Sequence, residues 1–344
     1  MAQKRTEIIK MPKVTVITPV YNGEKYLDEA IQSILNQTFS DFEYIVINDC
    51  STDKTGEILK KYLKEDARVK LLQNETNKGV CFSLNRGLRE AKGEYVAIMD
   101  SDDISLPQRL EKQVSFMDSH PEIGVCGSWL EFFGNKIYVW KTIPQHNDIF
   151  VGLLFGSMFG HPTVIMRKSV LLDLKALYSE EHRAAGDYNF WVRLGICCVR
   201  FANIQEVLLN YRFHSANIST TKRNLQKENA QNSLIILLKK LGVEPTTEEL
   251  RLHSLLKKGI AVSRSEVKDV SLWLNKLVEA NKNSKLCSES ALSILLAKRW
   301  FSLCYRSSRR VPLIFTIYFS NKISKSIRIS PKQKVKFFIK SILP

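Results

Sequence analysis

No Gly-x-Gly-x-x-Gly follows the first strand-like run of this chain, and no Gly-x-x-x-x-Gly-Lys-[Ser/Thr] occurs anywhere in it. Both absences weigh against a dinucleotide site or a P-loop. The opening residues, Met1-Ala-Gln-Lys-Arg-Thr-Glu7, lack the apolar run of a signal peptide. No uncharged apolar stretch approaches the roughly 20 residues that span a bilayer. The longest late candidate, Val311–Phe319, is about half that length and contains Pro312. The seven cysteines are odd in number and show no regular or zinc-type spacing, which points to reduced thiols in a cytoplasmic setting. Cys197 and Cys198 are adjacent in an apolar run and are expected to pack in the core. Negative charge is nearly missing from one region: residues 281–344 hold 14 Lys/Arg and a single acid, Glu289. The first 280 residues hold 37 basic and 34 acidic side chains, so most of the +16 balance belongs to the tail. With 44% hydrophobic and 25% charged residues, the 344-residue chain has the makings of one large soluble domain or two ordinary ones.

What is present centres on Tyr95-Val-Ala-Ile-Met-Asp100-Ser-Asp102-Asp103. The apolar run reads as a buried strand. It stops in three carboxylates, which repel one another unless a cation or hydrogen-bond donors neutralise them. In an open α/β sheet the carboxyl ends of strands are where ligands bind. A polar loop capping the next helix, ahead of Pro107, is the alternative.

Val14–Thr18 alternates and is β-rich, and Pro19 and Tyr21-Asn22-Gly23 end it. Glu24–Gln37 has helical apolar spacing. Glu43–Ile47 is a second strand running into Asn48-Asp49-Cys50-Ser51-Thr52-Asp53, and a helix is expected over about 54–64. Val69–Leu72 is a third strand, closed by Asn77-Lys78-Gly79 and followed by a helix over 83–91. This alternation predicts an α/β fold with a largely parallel sheet, helices on both faces, and the polar strand ends gathered along one edge.

Thr18-Pro-Val-Tyr-Asn22, Asn48-Asp-Cys-Ser-Thr-Asp53, Asn77-Lys-Gly79 and Asp100-Ser-Asp-Asp103 occur in the order and spacing of glycosyltransferase family two, which the chain resembles over about residues 12–215. The resemblance implies the GT-A fold and an inverting transfer from a nucleotide sugar, helped by a divalent cation, Mn²⁺ or Mg²⁺. By that resemblance Asp102 ligates the metal, Asp100 contacts the ribose or the metal shell, and Asp103 either joins the ligands or orients the loop. Asp49 would accept from the N–H of the base, with Pro19 and Tyr21 as a wall against a uracil-like ring. For Tyr21, strand-end packing is the plainer alternative. Lys78 and Arg86 are the cations expected at the nucleotide edge, although mid-helix Arg86 suits a solvated role equally. The family's second strand end usually reads Asp-Asp-Gly-Ser-x-Asp. Asn48 and Cys50 depart from it while Asp49, Ser51 and Asp53 remain, and Cys50 replaces a glycine, which tolerates positive φ where cysteine does not.

Further along, a helix with proline at its first turn is expected from Pro107, and a hairpin from Ile123–Phe133 through Gly134-Asn135 to Lys136–Trp140. Gly160–Arg167 reads as a loop entering a strand; its His161 either caps that strand or contacts the diphosphate or sugar. In Ala184-Ala-Gly-Asp187-Tyr-Asn-Phe-Trp191-Val-Arg193-Leu, Asp187 precedes a helix and suits an N-cap. The family's Glu-Asp-Tyr-x-Leu-Trp-x-Arg-Leu gives the matching Asp the role of general base, and Gly186 stands where that motif has Glu. Tyr211-Arg212-Phe-His214 is similar to the family's Tyr-Arg-x-His, which places Arg212 against the diphosphate and His214 in the metal shell.

From Lys222 onward strand signals vanish, so the expected organisation is a catalytic domain over 1–220 and a helical region over 221–344. Helices are expected at Leu234–Leu238 ending by Gly242, from the capping-box pattern Thr246–Glu249, and over 265–280 with Val267, Val270, Leu272, Trp273 and Leu277 as its apolar face. After Leu286, Trp300, Phe301, Tyr305, Phe315, Tyr318, Phe319, Phe337 and Phe338 are interleaved with cations. This suits an anionic membrane surface or nucleic acid. The membrane is favoured because many relatives use lipid-linked acceptors. The expected enzyme therefore moves a sugar, from a UDP-sugar, to a glycan or lipid-linked acceptor at the cytoplasmic membrane face. Nucleotidyl transfer and nucleic-acid binding are the rival readings.

Overall fold

The computed structural model describes residues 11–182, 184–214 and 222–342. Contacts divide these into two compact units, one from residues up to 145 together with 157–230, the other from 146–156 together with 231 onward.

The first unit is a mixed sheet with helices. Its strands are β1 (Val14–Val20), β2 (Phe42–Asn48), β3 (Val69–Gln73), β4 (Tyr95–Ile98), β5 (Ile104–Ser105), β6 (Ile123–Gly134), β7 (Tyr138–Trp140), β8 (Ile165–Arg167) and β9 (Arg200–Phe213). They lie in the order β3-β2-β1-β4-β8-β6-β9-β5, with β7 on β6. The first four are parallel, as the alternating pattern requires. β8 then runs antiparallel to both β4 and β6, β6 lies parallel to β9, and β5 is antiparallel to β9. The β6–β7 hairpin is present, with Leu130 opposite Trp140.

The helices joining the parallel strands are α1 (Leu27–Leu35), α2 (Thr55–Glu65) and α3 (Val80–Glu90); α4 (Arg109–Ser119) follows the acidic loop. β1 and β2 are buried at every position, so both faces of the sheet are covered there. Pro107 lies two residues ahead of α4 rather than in its first turn, with Gln108 as the cap. α6 (Lys168–Asp173) and α7 (Gly186–Ile196) lie between β8 and β9. The Cys197-Cys198 pair does not pack in the core. α7 ends at Ile196, Cys197 caps it and Cys198 takes φ 61°, so both thiols are exposed in the turn to β9.

The second unit contains α5 (His146–Gly152), α9 (Thr247–Lys258), α10 (Arg264–Ser284), α11 (Glu289–Ser307), α12 (Ile314–Ser320) and α13 (Pro331–Ile342); the division falls within α8 (Arg223–Leu241). The capping box at Thr246 and Glu249 forms with both halves present, and Ser263 with Glu266 makes a second at α10. Leu272 is not on the buried stripe of α10: it is 68% exposed, and Leu274 takes the inner position beside Val267, Val270, Trp273 and Leu277. The aromatic side chains of the tail are largely interior. Trp300, Tyr318 and Phe337 are fully buried, and Phe337 meets the rings of Phe301, Phe315 and Tyr318 at 5.7, 5.4 and 5.6 Å. Phe319 and Phe338 instead stay 37% and 46% exposed, so the rings divide between interior and surface. Trp300, Tyr318 and Phe337 belong to the unit's own core, where each ring buries a large apolar area. Among the described residues no helix is long and apolar enough to cross a membrane.

Candidate active site

Three loops meet at the carboxyl ends of β1, β2 and β3. After β1, Asn22 takes φ 50° and its side-chain oxygen accepts from Thr52 N at 2.8 Å, tying the β1 loop to the β2 loop. Ser51 Oγ in turn accepts from Asn22 N at 2.9 Å. Cys50 adopts φ 62°, so the chain keeps the left-handed turn although the residue there is not glycine. Pro19 is buried, and Tyr21 just past the end of β1 is 50% exposed.

Asp49 is nearly covered. Its Oδ1 accepts from Asn74 Nδ2 at 2.7 Å and Lys78 N at 2.9 Å, and its Oδ2 from Gly79 N at 2.7 Å. It therefore fixes the Asn77–Gly79 turn that starts α3, where Gly79 has φ +90°. Lys78 is exposed on that turn. Arg86 instead turns inward: its Nη1 donates to Gln73 O at 2.6 Å and to Asn74 Oδ1 at 2.7 Å, so it braces the end of β3.

At the end of β4 the three carboxylates have different surroundings. Asp100 and Asp102 are 30% and 28% exposed at the side chain, whereas Asp103 is 1% exposed. Asp103 Oδ1 accepts from Arg212 N at 2.8 Å, and among the described residues its buried Oδ2 has no hydrogen-bond partner. Burial, then the charges of Asp102 and Asp187, push the Asp100 carboxyl up to about 7, with Arg109 acting against them. Burial and the neighbouring Asp102 and Asp100 raise Asp103 as well.

Beneath this loop lies Arg109, which is wholly buried. Its Nη2 donates to Ile98 O at 2.8 Å, its Nε to Gln113 Oε1 at 3.1 Å, and Gln113 Nε2 donates to Thr163 O at 2.7 Å. Burial brings Arg109 down to about 10, while Asp103 and Asp100 favour its charge. No motif marks this residue in the sequence. The one signal there is that Arg109 and Gln113 share, at i and i+4, the face of α4 that also carries Leu110, Val114 and Met117, all buried.

β9 brings the second group. His214 Nε2 lies 2.9 Å from Asp102 Oδ2, and Arg212 Nε donates to Asp102 O at 2.8 Å. The Arg212 guanidinium pairs with Glu29 and is held between the rings of Tyr26 and Phe133, 4.4 and 4.5 Å away. Neither Glu29 nor Tyr26 stands out by sequence alone, since both fit an ordinary amphipathic helix. Arg212 in this state is a brace across the acidic loop with only 16% of its side chain exposed.

The third group comes from the turn His161–Thr163 ahead of β8, from the segment between α6 and α7, and from the first turn of α7. His161 Nδ1 stands 3.9 Å from Asp100 Oδ1, and its Nε2 lies 3.1 Å from the Tyr178 hydroxyl. Burial lowers the His161 pKa, with Asp187 opposing. Tyr178 is buried and stacks on Phe190 of α7 at 4.2 Å. Asp187 does not cap α7. The cap position is Ala185, in the left-handed region at φ 64°, and Asp187 sits inside the first turn. There its charge is felt at Asp100, His161, Tyr178 and Tyr211. Gly186 has a local cause: a Cβ at that position would lie 2.5 Å from Cys81 Sγ, so a glutamate could enter only if the Cys81 side chain shifted.

Asp102 and His214 offer a carboxylate oxygen and an imidazole nitrogen separated by 2.9 Å. Neighbouring corners of an octahedron with ligand distances of about 2.1 Å lie about 3 Å apart, so the pair fits one Mg²⁺- or Mn²⁺-sized ion. Among the described residues no group of three or more His, Cys, Asp or Glu side chains forms a ready cage.

The model of glycosyl transferase family 2 matches residues 15–174, which include the ends of β1, β2 and β4 and His161. A protein of Haemophilus influenzae described as an uncharacterized glycosyltransferase is 38% identical over 251 residues, covering 68% of this chain and 76% of that protein. The O-antigen biosynthesis glycosyltransferase WbnJ of Escherichia coli is 38% identical over 235 residues, covering 66% and 89%. Among solved structures, S. aureus TarS 1–349 in complex with UDP matches with a TM-score of 0.55 at 21% identity, covering 91% of this chain and 89% of that one. That match speaks for the shared GT-A fold with a helical C-terminal region. With relatives this similar over this much of their length, the chain belongs to glycosyltransferase family 2 and is a glycosyltransferase.

Proposed function

We propose that this enzyme transfers a sugar from a nucleotide-sugar donor, a UDP-sugar, to a hydroxyl of a glycan or lipid-linked saccharide, with inversion at the anomeric carbon. The observation that carries the reading is the meeting of five groups at one edge of the sheet: Asp102 against His214, Asp100 against His161, and Asp187, whose charge acts on both Asp100 and His161. Residues 1–220 are the catalytic part and 221–344 the accessory helical region. The nucleotide lies along the ends of β1, β2 and β3, with Pro19 and Tyr21 beside the base. Asp49 Oδ2, which has one donor among the described residues, accepts from the base, and Lys78 stands at the rim. Asp100 takes the ribose, and Arg212 and His161 face the diphosphate and sugar.

Asp102 and His214 would hold a divalent cation, which when bound neutralises charge on the departing nucleoside diphosphate. Asp187 takes the proton from the acceptor hydroxyl as that oxygen attacks the anomeric carbon. His161, held by Tyr178 and with its pKa lowered by burial against the pull of Asp187, can hydrogen-bond a sugar hydroxyl. Two solved neighbours support the donor class: TarS bound to UDP-GlcNAc, and the Pyrobaculum calidifontis mannosyltransferase PcManGT bound to GDP-Man and Mn²⁺, the latter at a TM-score of 0.50. WbnJ, by its name, acts in O-antigen synthesis, and TuaG of Bacillus subtilis bears the name of a putative teichuronic acid biosynthesis glycosyltransferase. Surface polysaccharide assembly at the inner face of the cell membrane is accordingly the setting we propose, with the basic C-terminal region on the membrane side.

A panel of nucleotide sugars with Mn²⁺ or Mg²⁺, scored for nucleoside diphosphate release, tests the reading. Release of pyrophosphate instead would select nucleotidyl transfer. With the active donor, Asp187→Asn should lower kcat about 10²–10⁴-fold while leaving the donor KM nearly unchanged. An undiminished kcat would remove Asp187 from the role of base.

A further inference from the structure

The interior position of the tail's aromatic rings leaves open what the C-terminal unit shows to its surroundings. On α13 the answer is a second apolar face. Phe337 and Ser341 point inward and are buried, and Lys340 Nζ folds back onto Tyr305 O at 3.3 Å. On the opposite side Val335, Phe338, Ile339 and Ile342 are 58%, 46%, 45% and 48% exposed. Their spacing, i, i+3, i+4, i+7, puts all four on one stripe about 10 Å long. The stripe continues beyond the helix. Leu313, 53% exposed, donates its N–H to Ser341 O at 3.1 Å, and the Phe338 ring lies 5.3 Å from Phe315, which contacts the 37% exposed Phe319.

Four large apolar side chains on one side of a twelve-residue helix are more than a surface leaves uncovered without a use. Their flanks say what covers them. Lys332 and Lys336 border one side of the stripe and Lys334 the other, all exposed. No acidic residue follows Glu289 in the chain. A protein partner with an apolar groove would account for the stripe but gain little from so one-signed a border. A polyanion such as nucleic acid would account for the lysines but has no place for Phe338 and Ile339. A bilayer with anionic headgroups takes both at once: cations lie at the phosphate level and the apolar face sinks to the acyl boundary.

We infer that α13, with Leu313 beside it, is a docked interfacial helix that holds this unit flat on an anionic phospholipid surface through Val335, Phe338, Ile339 and Ile342. The inference rests on the proposed membrane setting and gives it a surface. It also replaces the buried aromatic rings as the contact, since Phe337 is the helix's attachment to its own unit and is not free to enter lipid.

The test uses the full chain and vesicles of phosphatidylcholine with one quarter phosphatidylglycerol, compared with pure phosphatidylcholine. Cosedimentation should show at least tenfold stronger partition onto the anionic vesicles. The triple variant Val335→Ser/Phe338→Ser/Ile339→Ser should lose that partition at least tenfold. Its circular dichroism and its hydrolysis of the donor in vesicle-free solution should be unchanged, since all three residues are already on the surface. A second triple variant, Lys332→Gln/Lys334→Gln/Lys336→Gln, should weaken binding and flatten its salt dependence. Wild-type partition by the serine variant, or equal binding to neutral vesicles, would overturn the inference. So would a self-association that the serine substitutions abolish while vesicle binding persists. Failure to release any nucleoside diphosphate would count against the transferase reading alone, because vesicle partition is read without turnover.

Discussion

At the carboxyl edge of the sheet the interior is polar. Arg109 and Gln113 are completely buried under Asp103, whose Oδ2 is also out of reach of water. In the C-terminal unit the interior is Trp273, Trp300, Tyr318 and Phe337, while Lys332, Lys334 and Lys336 of α13 remain outside. Both regions carry dense charge of one sign, negative in the first and positive in the second. Only the first folds charge inward, where each carboxylate raises the energy of its neighbours unless Arg109 or a bound cation answers it. Unfavourable burial of like charge is a poor way to stabilise a fold, and carboxylates held in this way suit a cation.

Arg109→Met should break that contrast most sharply. It would leave Asp100 and Asp103 without their buried counter-charge, and removing one partner of such a cluster costs about 3–5 kcal/mol. The deficit has a definite sign with pH. Both carboxyls have folded-state pKa values above those of the unfolded chain, so the folded state binds more protons and the variant's stability should rise as pH falls. Urea denaturation in EDTA at pH 8 and pH 5.5 measures it; equal deficits at both would show that Arg109 serves packing and not charge.

This contrast also marks what a sequence makes legible. The parallel order β3-β2-β1-β4 and the Asp100–Asp103 loop can be read from it, because alternating strand and helix periods, ending in polar turns, leave few other arrangements. Arg109 cannot, because an arginine in the first turn of an amphipathic helix looks solvated until something places a carbonyl and two carboxylates beside it. Asp187 is legible as a residue but not as a position. Its helix begins one residue earlier, behind an alanine in a left-handed conformation that sequence does not announce. In the tail, composition suggests rings at a surface. Composition cannot tell which side of a helix faces the core, and the deciding partners are distant in the chain. The ring of Phe301 meets Tyr318 and Phe337, each at 5.7 Å, and both belong to later helices.

The polar group inside the C-terminal unit supplies the next test. His253 is buried, its Nε2 donates to Leu154 O at 2.7 Å, and its Nδ1 accepts from Trp273 Nε1 at 3.3 Å. Both ring nitrogens are thus satisfied only in the neutral form. Burial brings its pKa down to about 4, with the Leu154 carbonyl opposing and Lys257 and Arg299 adding to the fall. The folded state therefore binds fewer protons than the unfolded chain. Stability from this group is full above about pH 6.5 and is lost as pH falls toward 4, by about 3 kcal/mol in all. Hydrogen exchange of α9 and α10 between pH 7 and pH 4.5 should show the loss, and His253→Gln should flatten it. An unchanged slope in that variant would place the acid sensitivity elsewhere.

The smallest expected effect lies in the turns. Cys50 and Ala185 hold φ values of 62° and 64° beside the site, where a side chain crowds the following carbonyl. Glycine would relieve that crowding but would also loosen the unfolded chain, so the two effects largely offset. Cys50→Gly should still come out ahead by roughly 0.5–1 kcal/mol, because its thiol gives up only a 3.4 Å contact with Glu75 O. A rise in the urea midpoint with unchanged donor KM would mean that the strained turn is tolerated and not used. A rise in stability accompanied by a weaker donor KM would mean that the cysteine side chain helps to shape the nucleotide edge, and that the polar region gives up stability for binding even in its backbone.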